Sequence, residues 1–322
     1  MDARCTFCSR KPNAGSRDYS GQLTQAFAMP QAVALGDGFL RPGQDASIIP
    51  IKEQHMTTAR EIADLFETIA PIQSGIAGDE LGFIYGDPAQ EVRGIGCMWI
   101  ASAASITAAA QAGLNMLICH EGLWDYPQTS PWYDGPAEQE IHSNKLRKRL
   151  LDQYGMLVYR SHSNWDALKG DGVSDQAVAA LGIAGLSEVA RQRFFSVQEL
   201  PQAQTAGWLY QRAREGLGFT GCRLFGNPDK AIRRFAFLIG GFGENQFHMP
   251  QAARDMGAEA IIIGEMSEFV VIDCLEMGLP VIETLHSVSE SPAIRRQAAL
   301  LAERLPNLPV RFIPSGAGIA LR

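Results

Sequence analysis

The 322-residue chain is short of several things, and each shortage narrows its function. No apolar run approaches the ~18 residues that a membrane-spanning helix needs, and no apolar segment opens the chain, so neither a membrane span nor a signal peptide is expected. No block of basic residues occurs, and the formal net charge is −7, which disfavours nucleic acid as a partner. The six cysteines are scattered apart from Cys5 and Cys8, a spacing that suits a reducing cytoplasm better than a disulfide framework. The lone Cys5-Thr6-Phe7-Cys8 has no second pair to complete a structural zinc site. Neither a Walker loop, nor GxGxxG, nor GxSxG is present. Histidine is also scarce, at six residues, so where those six fall carries weight.

What is present reads as an ordinary globular balance, 46% hydrophobic and 20% charged. Residues 1–55 are rich in Gly, Ala, Pro, Ser and Gln and hold no apolar period. They read as a flexible extension or an unused upstream start, with Met56 the sensible first residue. Thr58-Ala59-Arg60-Glu61 matches a capping box that opens a helix ending before Pro71. From there apolar strand-like runs alternate with helical stretches to the end of the chain. That alternation predicts an α/β fold with mixed, largely parallel sheets. The second half repeats the strand–helix logic of the first, and a boundary between two α/β lobes is read near residue 190, giving 56–190 and 191–322. The pattern is weakest over 184–230, where a helix over Ala203–Gly216 and a strand over Cys222–Phe225 are expected.

Three apolar runs end in an imidazole with an acid close behind. Met116–Cys119 runs into His120-Glu121. Val158-Tyr159-Arg160-Ser161 runs into His162, with Asp166 four residues on. Val281–Leu285 runs into His286, with Glu290 four residues on. Ligands of open α/β sheets bind at the carboxyl ends of strands. One such histidine is ordinarily structural; three with acids beside them point to a metal site. His120, Glu121, Asp166, His286 and Glu290 are therefore the expected ligands, and mixed imidazole and carboxylate donors suit Zn, Mn or Fe. Five ligands exceed the three that a catalytic zinc normally takes from its protein, so two divalent ions per chain are expected. Two such ions carry +4 against −3 from Glu121, Asp166 and Glu290, and a bridging hydroxide, the nucleophile of two-metal hydrolases, cancels the remainder. His162 is read as a general acid/base or substrate-binding residue. The loop from Glu121 to Pro136 is long and aromatic, and reads equally as a binding loop or a packed plug. Gly240-Gly241-Phe242-Gly243 reads first as a tight turn, and Glu265 and Glu268 as helix caps or partners of the ligand shell.

In order along the chain, the strand ending in His120-Glu121, the HSNWD segment at 162–166, Gly240-Gly241-Phe242-Gly243, Gly264-Glu265-Met266-Ser267-Glu268 and the HSVSE segment at 286–290 resemble the Nif-three-like dinuclear metal-centre proteins, often labelled GTP cyclohydrolase I type 2 homologues. The resemblance covers about residues 56–322. It implies two similar α/β lobes, a two-metal site between them and a homohexamer. It also implies that His120, Asp166, His286 and Glu290 are metal ligands and that His162 lies near the metals. Many members have two adjacent histidines where this chain has His120-Glu121, so here the site is harder and more negative. The function expected is a metal-dependent hydrolase acting on a small nucleotide-like or phosphorylated substrate in the cytoplasm. The alternative is a metal-binding regulator or scaffold without turnover.

Overall fold

The computed structural model describes residues 57–125, 129–130, 133–135, 137–242 and 248–317. Cys5, Cys8, Met56 and the extension read over 1–55 lie outside them, as do Gly243 and parts of the loop after Glu121. Residues 54–322 cluster as one unit. Its elements, in chain order, are α1 (Ala59–Glu67), β1 (Gly82–Tyr85), β2 (Ile95–Met98), α2 (Ala103–Gln111), β3 (Met116–Cys119), the short pair β4 (Thr129–Ser130) and β5 (Tyr133–Asp134), α3 (His142–Tyr154) and β6 (Leu157–Arg160). There follow α4 (Ser163–Asp166), α5 (Val173–Ala180), β7 (Ser187–Gln192), β8 (Phe195–Thr205), α6 (Ala206–Leu217), β9 (Arg223–Phe225) and β10 (Ala231–Phe242). The last are α7 (His248–Asp255), β11 (Ile261–Met266), α8 (Glu268–Glu276), β12 (Val281–Glu283), α9 (His286–Arg304) and β13 (Val310–Phe312). No helix among the described residues is long and apolar enough to cross a membrane.

Two mixed sheets carry the architecture. The first has the order β1-β6-β3-β2-β13, with β6, β3, β2 and β13 parallel and β1 antiparallel at the edge. The second has the order β7-β8-β10-β11-β12-β9, parallel only across β10, β11 and β12. The α/β class and the mixed sheets agree with the expectation. A cut at residue 190 does not follow the sheets, because β13 returns from the C-terminal stretch to pair with β2. Helix α9 packs against β2 and β13 of the first sheet and against β10 and β11 of the second. Its Ala293, Ile294 and Leu301 are buried in one cluster with Ile95, Ile118 and Leu157 of the first sheet and Ile239 of the second.

Local chemistry explains most of the elements. Thr58 and Glu61 form the expected capping box, with the Thr58 backbone N–H donating to Glu61 at 2.8 Å. Ser102 caps α2, and Gly113, at φ +77°, turns the chain directly into β3. All four residues of β3 and of β6 are buried, as central parallel strands require.

Three expectations need correction. Residues 187–205 form the β7–β8 hairpin, which lacks a strand-like pattern because β7 is largely exposed and β8 contains Pro201. The proline is tolerated where the register with β10 breaks, between the Glu199 and Gln204 pairings. The helix expected from Ala203 begins at Ala206, because Thr205 ends β8 and its hydroxyl caps α6. The strand expected to reach His286 ends at Glu283, and His286 opens α9. Pro292 lies inside α9; it suggests a helix start on paper, but here it only removes one donor from an established helix.

Candidate metal centre

The first-sheet residues are placed by two neighbouring strand ends. The Ser161 N–H donates to the Cys119 carbonyl and the Glu121 N–H to the Trp99 carbonyl, so the tips of β2, β3 and β6 are tied together. The HSNWD segment then makes one helical turn. Trp165 is fully buried and stacks on Phe66 at 5.8 Å, and the Asn164 amide donates to the Ala70 carbonyl at 2.7 Å. With Trp165 fixed, the i, i+4 spacing turns Asp166 to the side of His162.

The second-sheet residues come from the loop between β12 and α9. Leu285 has φ +94°, the one positive value at a non-glycine among the described residues, and its N–H donates to the Gly264 carbonyl at 2.6 Å. Such backbone strain is held by its surroundings and gathers at working sites. It sets His286 at the head of α9, with Glu290 one turn on. Gly240 permits the close approach: at φ +73°, a Cβ there would lie 3.1 Å from both Glu290 Oε1 and His286 Nε2. Gly264 is equally confined, since a Cβ would meet the Gly240 carbonyl at 2.3 Å and His286 Cα at 2.7 Å. Gly240, Gly241 and Phe242 thus end strand β10 where a tight turn was expected, and Gly240 clears room for the acid and the imidazole.

The donors converge. His120 Nε2 lies 3.4 Å from Asp166 Oδ1 and 3.4 Å from Glu290 Oε2. His286 Nε2 lies 3.1 Å from Glu290 Oε1 and 3.1 Å from Glu121 Oε1. Two triads, His120–His162–Asp166 and His120–Glu121–Glu290, each have their donor atoms within 4.8 Å of one another. Glu290 spans the cluster, with one oxygen toward His120 and the other toward His286.

Each of the three imidazoles is anchored through Nδ1. His120 Nδ1 donates to the Ser161 carbonyl at 3.0 Å, His162 Nδ1 to Asp79 Oδ2 at 2.8 Å, and His286 Nδ1 to Glu265 Oε1 at 3.1 Å. All three partners are acceptors only. A neutral ring so held carries its proton on Nδ1 and presents the Nε2 lone pair inward, the arrangement of metal-binding histidines. His120 Nε2, Asp166 Oδ1 and Glu121 Oε1 are buried without a hydrogen-bond partner among the described residues. Glu121 Oε1 is close to His286 but outside hydrogen-bond alignment, so the contact counts as an ion pair only. Buried polar atoms are almost always satisfied, and exceptions that point at one another call for a cation.

Protonation follows the crowding of charge. Burial, then the charges of Glu290 and Glu121, push the Asp166 carboxyl well above its usual value. Burial pushes the His120 imidazole down against the pull of Glu290. Burial also works to lower His286, but Glu121, Glu265 and Glu290 outweigh it and lift the ring to about 12. Burial works to raise Glu121, yet His286 and His120 bring it down to about 2. The carboxylates thus outnumber the positive charge at hand, and protons on Asp166 and His286 make up the difference. Divalent ions would displace both protons, and the residues fit such ions.

A pocket of about 340 Å³ opens beside the cluster, lined by Trp99, Glu121, Trp124, Asp125, Arg160 and His286 among others. Trp99 was not anticipated. Its indole N–H donates to Glu290 Oε2 at 2.7 Å, and its ring meets His286 edge-on at 5.3 Å. Its place just past β2 was the available signal, since the other site residues share such positions. Asp79 has no sequence signal: it lies in an irregular segment before β1. Glu265 bonds to His286, whereas Glu268 is the first residue of α8. Cys119 is a buried core residue. His142 and His248 begin helices α3 and α7.

The sequence profile of the Duf34/NIF3 family (NGG1p interacting factor 3) matches residues 57–317. The chain belongs to this family. Among curated NIF3-related proteins, the "GTP cyclohydrolase 1 type 2 homolog" of Clostridium acetobutylicum is 29% identical over 245 residues, 73% of this chain and 86% of that one. The namesake from Clostridium perfringens is 27% identical, over 79% of this chain and 95% of its own. A Bacillus cereus protein related to NIF3 superposes with a TM-score of 0.66 at 16% identity, covering 81% of this chain and 97% of that one. A Thermus thermophilus structure gives 0.64 at 21% identity, covering 81% and 100%. At these identities the structural matches establish the NIF3 fold and nothing finer.

Proposed function

We propose that this NIF3-family chain is a dinuclear metal-dependent hydrolase of a small nucleotide-like or phosphorylated substrate. The observation that carries the reading is the set of three histidines anchored outward through Nδ1 while Nε2 atoms and unpartnered carboxylate oxygens face one another. His120, Glu121, Asp166, His286 and Glu290 would hold two divalent ions of Zn, Mn or Fe. The ions, when bound, supply Lewis acidity and a water acidified toward neutral pH. Glu290 joins the two halves of the cluster, and Trp99 fixes its orientation through one oxygen. His162 takes up or delivers a proton at Nε2, while Nδ1–H stays on Asp79. The pocket beside the cluster receives the substrate, whose flat ring packs on Trp99 or Trp124. The names of the clostridial relatives make nucleotides the first compounds to try. The working assembly is a homohexamer, as the family resemblance implies, and light scattering measures it directly.

Elemental analysis of the isolated protein should find about two ions per chain. Turnover should then be sought among nucleotides and phosphoesters with Mn, Fe and Zn. Full activity in a metal-free Asp166→Ala protein would eliminate the scheme. Bound metal with no turnover across that panel would favour the regulatory or scaffold role.

A further inference from the structure

Asp79 lies outside every candidate ligand group, yet it is the most heavily bonded carboxylate near the cluster. Its side chain is only 12% exposed. Oδ1 accepts from Arg160 Nη1 at 2.6 Å. Oδ2 accepts from His162 Nδ1 at 2.8 Å, from the Ser163 hydroxyl at 2.5 Å and from the Ser163 N–H at 3.3 Å. Arg160 is held in turn: Nη1 also donates to the Glu80 carbonyl at 2.9 Å and Nε to the His120 carbonyl at 3.2 Å. One buried acid thus joins β6, the HSNWD turn and the segment before β1, next to the ring read as the proton carrier.

We propose that Asp79 is a positioning residue that holds His162 as its Nδ1–H tautomer and so turns the Nε2 lone pair toward His120 and Asp166. The chemistry of the surroundings forces this assignment. Arg160 and the Ser163 N–H are donors only, so both oxygens of Asp79 must accept. Burial alone would raise this carboxyl, but the bonds from Ser163 and His162, with the charges of His162 and Arg160, hold it far below its usual range. It is therefore an anion across the working pH range. An anion facing imidazole Nδ1 selects the form with hydrogen there, and a bond to a charged acceptor favours that form about tenfold or more. His162 meets His120 edge-on at 4.9 Å, so the ring has a fixed approach to the cluster as well as a fixed tautomer.

Asp79→Asn separates this role from mere packing, because it preserves shape and removes one acceptor. The Asn oxygen goes to the charged Arg160, which leaves the NH₂ facing His162. Nδ1 must then accept, and the ring proton moves to Nε2, where it blocks the lone pair. A wrong histidine tautomer of this kind is known to disable acid–base machinery with geometry intact. The inference relies on His162 being a working residue of the proposed centre, but its test needs neither metal nor turnover. Magic-angle-spinning ¹⁵N NMR of the full chain, labelled at histidine, reads the tautomer, with His162→Asn to assign the signal. The wild type should show His162 protonated on Nδ1, and Asp79→Asn should reverse the populations by about tenfold or more. Asp79→Glu, which restores two acceptor oxygens, should return the wild-type signal. A wild-type His162 with its proton on Nε2, or an unchanged signal in a folded Asp79→Asn protein, overturns the proposal. Should the protein prove unable to bind metal, the proposed function fails while the tautomer result stands.

Discussion

The two sides of the cluster are built on unequal supports. On the first-sheet side, His120 and Asp166 are almost fully buried, His120 is anchored by a backbone carbonyl, and the HSNWD turn is pinned by Trp165 in the core. On the second-sheet side, the His286 side chain is 21% exposed and leans on Glu265, itself 55% exposed; Glu121, which reaches His286 from the end of β3, is 20% exposed. The second side also depends on a strained Leu285 and on the clearance at Gly240. Glu290 ties the sides together from a buried position. On the proposed two-metal reading, the deep position would keep its ion and the open position beside the pocket would exchange ion and substrate. Metal ligands with rigid supporting shells bind more tightly, which is the physical basis for the difference.

The sharpest way to break this contrast is Asp166→Ala. Loss of a carboxylate at the deep position should lower metal affinity by more than the ~10–100-fold seen for supporting residues. Competition with a chelator measures it, and retention of both ions would remove the deep position from the account. The metal-free variant should melt no lower than the wild type at neutral pH, because keeping Asp166 protonated there, against its burial and its acidic neighbours, costs the fold and its removal ends that cost.

Gly240→Ala should come next. A side chain at φ +73° costs about 1–2 kcal/mol, and its Cβ would press on His286 and Glu290. A lower melting temperature is expected, with metal lost from the open side before the deep one. Equal loss from both would show that Glu290 couples them too tightly to be told apart.

Glu265→Ala should be milder, about tenfold in affinity and confined to the open side, since it frees only the His286 ring. An unchanged affinity would mean that Glu121 and Glu290 orient His286 unaided.

Smallest and most diagnostic is the pH dependence. Metal uptake must expel the protons held by Asp166 and His286, so affinity should rise with pH and binding should release protons into weak buffer. In the metal-free protein the two groups act in the same direction. The raised carboxyl of Asp166 favours the fold at low pH and loses that contribution as pH climbs past the usual carboxylate range. The raised imidazole of His286 contributes in full below its unfolded value of about 6.5 and loses that progressively as pH rises from there toward about 12. Thermal melts of metal-free protein across pH 4 to 9, with about 4 as the carboxylate reference, should therefore decline gently, and added metal should remove the decline.

Much of this arrangement was legible before any coordinates. The runs Met116–Cys119 and Leu157–Tyr159 are apolar and short enough to be buried parallel strands, and chemistry placed just past such strands gathers at one edge. The capping box at Thr58 gave a local helix start that the fold respects. The β7–β8 hairpin was not legible, because an exposed edge strand has no period to show and Pro201 argues against a strand. Nor was the start of α9, where Ser, Glu and Pro in the first turns mask a helix that tertiary packing stabilises.

Sequence order was enough to place His120 and Glu121 just past β3 and His162 just past β6, because strand periodicity and end-of-strand chemistry are local properties. It could not say which oxygen holds which ring. Asp79 reaches His162 across 83 residues, Trp99 reaches Glu290 across 191, and β13 returns to the first sheet beside β2. Those partnerships depend on where the packed sheets and α9 bring distant backbone together, and with them the tautomer of each histidine and the direction in which its lone pair points.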